Sequence, residues 1–78
     1  MDKVEFLKEL TNLIKLYRQQ KRITFKSLSE KTNLSIKYLN SLELGKHDPS
    51  ISNYFLIIKS LEIPTNEIYK ILSNYIQN

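Results

Sequence analysis

Apolar side chains recur along this chain at intervals of three and four residues, and the intervals divide it into five segments. In residues 3–20 they fall at Phe6, Leu7, Leu10, Leu13, Ile14 and Tyr17, which is one face of a helix. Lys21 and Arg22 follow as a basic exit. Thr24 then offers a capping hydroxyl for a second helix over about 24–32, with Phe25, Leu28 and Ser29 turned inward. Asn33 stands where the chain must turn, and asparagine tolerates the left-handed conformation better than most residues. Ser35 is a suitable N-cap for a third helix over about 36–44. At about 100° per residue, Leu39 and Leu42 point to the core with Tyr38 beside them. Ile36, Lys37, Asn40, Ser41 and Leu44 occupy the opposite arc. Gly45 is placed to close this helix as the residue after its C-cap.

Pro49 and Ser50 start a fourth helix over about 51–61. Its expected buried stripe is Ile51, Tyr54, Phe55, Ile58 and Leu61, with Ile57 at the edge and Leu56 on the far side. A strand is the competing reading of residues 54–58, but that run has no partner strand. Pro64 breaks the chain, and Thr65 is expected to cap a fifth helix over about 66–76. There Ile68, Tyr69, Ile71, Leu72, Tyr75 and Ile76 sweep roughly 160° of arc, where a surface helix needs about 100°. Deeper wrapping by the core is one reading of the excess. The favoured one is a second partner surface centred on Tyr69 and Ile76, giving an expected dimer interface of Leu56, Tyr69, Leu72 and Ile76. The chain thus reads as one all-α domain over residues 1–78.

Composition narrows this picture. A chain of 78 residues, 41% of them hydrophobic, supports a single modest core. Domains of this size are often completed by disulfides, metals or a second subunit. With no cysteine the disulfide and thiolate-metal routes are closed, and a homodimer is the natural supplement. The N-terminus is charged and periodic, unlike a signal peptide. The longest apolar run, Tyr54 to Ile58, is far shorter than a membrane span, so no membrane partner and a cytoplasmic location are expected.

Charge adds direction. Residues 15–46 hold eight Lys and Arg against two acids, a net of +6, whereas the remainder holds four lysines against six acids, a net of −2. A positive field on one contiguous stretch suits a polyanionic partner. The lone His47 has no serine, cysteine or carboxylate motif to organise it. Metal ligands are not clustered, and one glycine cannot make a phosphate-cradling loop. The last helix lacks the basic polar face of a membrane-surface helix. The expectation is no enzyme, no cofactor, no metal and no small-molecule ligand.

At this point the residues resemble a known family. Arg18, Leu28 and Ser29, the turn Asn33-Leu34-Ser35, Leu39, the Leu42-Glu43-x-Gly45-Lys46-x-x-Pro49 string, Ser50-Ile51 and Leu61-Glu62-Ile63 are together similar to the Cro/CI-type helix-turn-helix regulators, also called the Xre family. The resemblance spans residues 10–72. It implies a five-helix, lambda-repressor-like fold with the helix-turn-helix at helices two and three. Length, a broad apolar last helix and the lack of an appended sensor domain look most like the controller proteins of restriction–modification systems.

The resemblance also implies roles. Arg18 and Glu43 occupy positions that pair and brace helix one against the recognition helix. Helix three resembles that recognition helix, with Ser35, Ile36, Lys37, Asn40 and Ser41 at positions that face double-stranded DNA. Lys37 has the chemistry to donate to guanine, and Asn40 to reach adenine or a phosphate. Ile36 is limited to apolar contact such as a thymine methyl. Tyr38 and Lys46 are plausible phosphate contacts, with Lys26 and His47 as further candidates. Three departures stand out. Phe25 replaces a phosphate-clamping glutamine, Asn33 replaces a turn glycine, and Leu44 sits where a polar residue is frequent. Phe25, Ile36 and Leu44 are expected to make the face more apolar than usual. This keeps a second reading open, a protein-binding module of antitoxin or antirepressor type on the same fold.

Overall fold

The structure, a computed structural model, describes residues 2–76. Five helices follow one another: α1 (Lys3–Gln20), α2 (Phe25–Thr32), α3 (Ile36–Glu43), α4 (Ile51–Ser60) and α5 (Thr65–Ile76). There is no strand among the described residues. Four of the starts are set by short polar side chains that accept a backbone N–H three residues on. Asp2 accepts from Glu5 at 2.9 Å, Thr24 from Ser27 at 3.1 Å, Ser35 from Tyr38 at 3.0 Å and Ser50 from Asn53 at 3.2 Å. Each such cap typically contributes about 1 kcal/mol. Thr65, expected as the cap of α5, is instead its first helical residue. Leu44 and Leu61, expected inside their helices, are C-caps.

Three of the helices end in the same way. After the C-caps Lys21, Leu44 and Leu61, residues Arg22, Gly45 and Glu62 take positive φ (56°, 75° and 54°). The next residue in each case reaches back five positions: Ile23 N–H to Arg18 C=O, Lys46 to Ser41 and Ile63 to Ile58, at 2.9, 2.9 and 3.1 Å. These are Schellman turns, and only one of them has glycine. Helix α2 ends more simply on Asn33, at φ 63°, which gives α3 its sharp departure.

The core is one cluster built from every helix: Leu10 and Ile14 of α1, Leu28, Leu39 and Leu42 of α2 and α3, Tyr54 and Ile57 of α4, Leu61 and Ile63 beyond it, and Ile71 of α5. Helix α1 packs on α3 and α5, and α2 packs on α3 and α4. A Phe6–Tyr75 stack, with centroids 4.4 Å apart, joins α5 to the start of α1.

The expected stripe of α4 is corrected here. Ile57 is fully buried and central, whereas Ile51 and Phe55 are 74% and 60% exposed. Apolar residues at 51, 54, 55 and 58 and those at 54, 57, 58 and 61 fit the helical spacing equally well. Packing against α2 selects the second set.

Candidate nucleic-acid interface

Helix α3 is held by its inner edge. Leu39 and Leu42 are nearly inaccessible, while Ile36, Lys37 and Asn40 are exposed and Ser41 is half-buried. The side chains available on the outer face are therefore an isoleucine, a lysine, an amide and a hydroxyl within two turns. The Ser35 hydroxyl, at the start of the same helix, is occupied as its cap.

Arg18 of α1 reaches the end of α3. Its Nε and Nη2 donate to the two Glu43 carboxylate oxygens at 2.5 and 3.0 Å, and Nη1 donates to Ile23 C=O at 3.0 Å. Its guanidinium carbon also lies 4.1 Å from the centroid of the Phe25 ring. One side chain of α1 thus grips the last residue of α3, the turn before α2 and the first residue of α2. Both partners of the ion pair are largely buried. Such a pair adds little net stability, but removing one partner is costly because the other charge is stranded. Phe25, expected both among the inward residues of α2 and as part of an apolar outer face, packs partly buried beneath the guanidinium and against the core, which fits the first expectation and corrects the second. Of the three residues expected to make that face apolar, only Ile36 and Leu44 are exposed.

A second small network ties α3 to the α3–α4 connection. The Tyr38 and His47 rings stack with centroids 5.8 Å apart and 24° between planes. Asn53 Nδ2 donates to the Tyr38 hydroxyl oxygen at 3.1 Å. The Tyr38 hydroxyl is thereby oriented with its own proton still available to an acceptor. Asn53 gave no signal in the sequence, since it lies one turn into α4 and its partner is fifteen residues away. Lys26 and Lys46 are exposed. Lys21 is not free in the same sense: its Nζ donates to Leu61 C=O, tying the end of α1 to the end of α4.

Among the described residues there is no group of three His, Cys, Asp or Glu side chains that could hold a metal ion. No described helix is long and apolar enough to cross a membrane. On α5, Tyr69 and Ile76 are 71% and 70% exposed, and Leu72 and, on α4, Leu56 are also exposed.

A family model described as helix-turn-helix matches residues 14–68, from the last turns of α1 into the first turn of α5. No curated protein matches the chain, and no solved structure does.

Proposed function

The chain belongs to the Cro/CI-type helix-turn-helix family of DNA-binding regulators, and from that membership we propose that it works as a homodimer on a palindromic operator. The two α3 helices would enter successive major grooves about 34 Å apart. The observation that carries this reading is the outer face of α3: Ile36, Lys37 and Asn40 stand exposed on a helix whose last residue, Glu43, is paired with Arg18 of α1.

In this reading Lys37 and Asn40 meet base edges, Ile36 meets a thymine methyl, and Ser41 contributes a hydroxyl. Tyr38, Lys46, His47, Lys26 and the α3 start at Ser35 meet the phosphate backbone. Eight cations against two acids in residues 15–46 supply a salt-dependent share of the affinity. The exposed stripe Tyr69, Leu72 and Ile76, with Leu56 nearby in character, is the surface for the second copy. Transcriptional control of a neighbouring operator in the cytoplasm follows, and the controller role found in restriction–modification systems is its narrower form.

The test is selection from a randomised duplex library, with the bound pool sequenced. An enriched motif with two-fold symmetry and half-sites about one helical turn apart is the expected result. Enrichment of a single asymmetric site would refute the dimer. No enrichment would refute sequence-specific binding and favour the protein-binding reading, for which the exposed Ile36 and Leu44 are the supporting observation.

A further inference from the structure

Three elements meet at the Tyr38 side chain. Tyr38 lies in the first turn of α3. His47 stacks on its ring from the α3–α4 connection, and Asn53, in the first turn of α4, donates Nδ2–H to its hydroxyl oxygen at 3.1 Å. The stack limits rotation of the ring, and the amide limits rotation of the hydroxyl.

The polarity of this chain of groups has a consequence. A phenol carries one proton and accepts through its oxygen. Here the oxygen takes a proton from the amide, and the phenol's own proton has no acceptor among the described residues. It is left for an acceptor outside the fold. Accepting a hydrogen bond also polarises the O–H and makes it a better donor. A phosphate oxygen, anionic and acceptor-only, is the complement of such a group, and the exposed Lys37, Lys46 and His47 on the same elements add donors of the same sense.

The Asn53 side chain is not what starts α4. That helix is capped through the Asn53 backbone N–H, which donates to Ser50 Oγ at 3.2 Å. The side-chain amide makes its one hydrogen bond among the described residues to Tyr38.

We propose that Asn53 is a positioning residue for DNA: it turns the Tyr38 hydroxyl proton outward to a backbone phosphate, so that this contact is set before DNA arrives. Two helices, α3 and α4, thereby build one phosphate contact. The role rests on the DNA reading above, whereas the Asn53–Tyr38 bond does not.

The test uses the full chain and the duplex selected from the library. Tyr38→Phe should weaken binding about tenfold, the scale of one charge-assisted hydrogen bond. Asn53→Ala, which frees the hydroxyl rotor, should weaken it about threefold. Asn53→Asp reverses the polarity, because a carboxylate accepts the phenol proton and turns it inward; a loss of about tenfold or more is expected. The first turn of α4 holds no acidic residue, and an aspartate there suits the helix N-terminus, so this variant should melt no lower than the parent. In the Tyr38→Phe background, Asn53→Ala should cost nothing further and Asn53→Asp only its added charge, a loss that salt screens. Replacing the phosphates of the duplex one at a time by neutral methylphosphonates should reveal one position per half-site where the parent loses affinity and Tyr38→Phe does not.

Parental affinity in Asn53→Asp would show that the amide already accepts the Tyr38 proton. An undiminished effect of Asn53→Ala in the Tyr38→Phe background would show that Asn53 acts without Tyr38. Either result overturns the positioning role and leaves the DNA reading standing. Absence of any sequence-specific binding by the parent would overturn the DNA reading, and the role with it.

Discussion

The Phe25 ring lies against the Arg18 guanidinium, 4.1 Å from ring centroid to Cζ, and this contact accounts for the phenylalanine at the head of α2. A glutamine there can reach outward to a phosphate, but it cannot cover the brace. Phe25→Gln removes a partly desolvated cation–π contact and the packing of the ring on the core. It should destabilise the fold by about 1–3 kcal/mol, read as a lower urea midpoint at unchanged slope. Unchanged stability would mean the stack contributes nothing to the brace.

The Arg18–Glu43 pair makes a separate prediction. Arg18→Met strands a carboxylate that is only 7% exposed, and should cost about 3–5 kcal/mol. Adding Glu43→Leu removes the stranded charge and should recover most of that loss. The double variant should nevertheless bind the selected duplex less tightly than the parent, because the pose of α3 has lost its two-point grip. A stable double variant with parental DNA affinity would show that the pair does not position the helix.

The three Schellman turns differ in how well their residues suit the conformation. Arg22 and Glu62 hold positive φ without being glycine, at a price of roughly 1–2 kcal/mol each in backbone strain. Arg22→Gly and Glu62→Gly should each stabilise by about 0.5–1 kcal/mol, the remainder being offset by the greater freedom of glycine in the unfolded chain. Gly45→Ala has open space for its methyl and still should destabilise by about 1 kcal/mol, through φ alone. Thermal melts of the three variants separate conformational strain from side-chain contacts.

How far the fold could be read from the sequence depended on whether one local pattern had one solution. Asn33 stood between two clean amphipathic helices, so its left-handed turn was legible, as was the glycine of α3. Arg22 and Glu62 were not, because neither residue type signals positive φ and only the returning Ile23 and Ile63 bonds require it. In α4 two interleaved stripes had equal periodicity, and the choice of Ile57 over Phe55 depends on a surface of α2 that lies more than twenty residues away in sequence. The candidate site divides in the same manner. The exposed residues of α3 follow from its period and cap. The roles of Phe25 and Asn53 depend on partners brought in from other helices.

Burial raises the Tyr54 pKa above its usual value of 10.0, with a smaller contribution from Asp48, while the neighbouring Thr11 opposes the shift. The folded chain therefore holds this proton more tightly than the unfolded chain. Stability from this group is fully present below about pH 10, the unfolded value, and is lost as pH rises through the folded value. Tyr54→Phe should remove that alkaline component. It should also be neutral or stabilising by up to about 1 kcal/mol at pH 7, since an unpartnered buried hydroxyl disappears. Urea unfolding of both chains between neutral and alkaline pH measures the difference. A parallel pH dependence in the two would assign the alkaline loss to other groups.

Lys37 and Lys46 test which part of the surface reads sequence. Both are exposed, but Lys37 lies on the outer arc of α3 and Lys46 follows its closing turn. If Lys37 reaches a base edge, Lys37→Ala should cost about 1–3 kcal/mol on the selected duplex, relax preference at one base pair per half-site, and leave binding to random duplex nearly unchanged. Lys46→Ala should weaken selected and random duplexes alike and lower the slope of log affinity against log salt by about one per phosphate contact. Titrations of both variants on both duplexes across a salt series distinguish the roles. Identical behaviour of the two would reduce Lys37 to a phosphate contact and leave direct readout to Asn40 and Ile36. If neither substitution changed DNA binding while the fold stayed intact, the outer face of α3 would not be the DNA-reading surface.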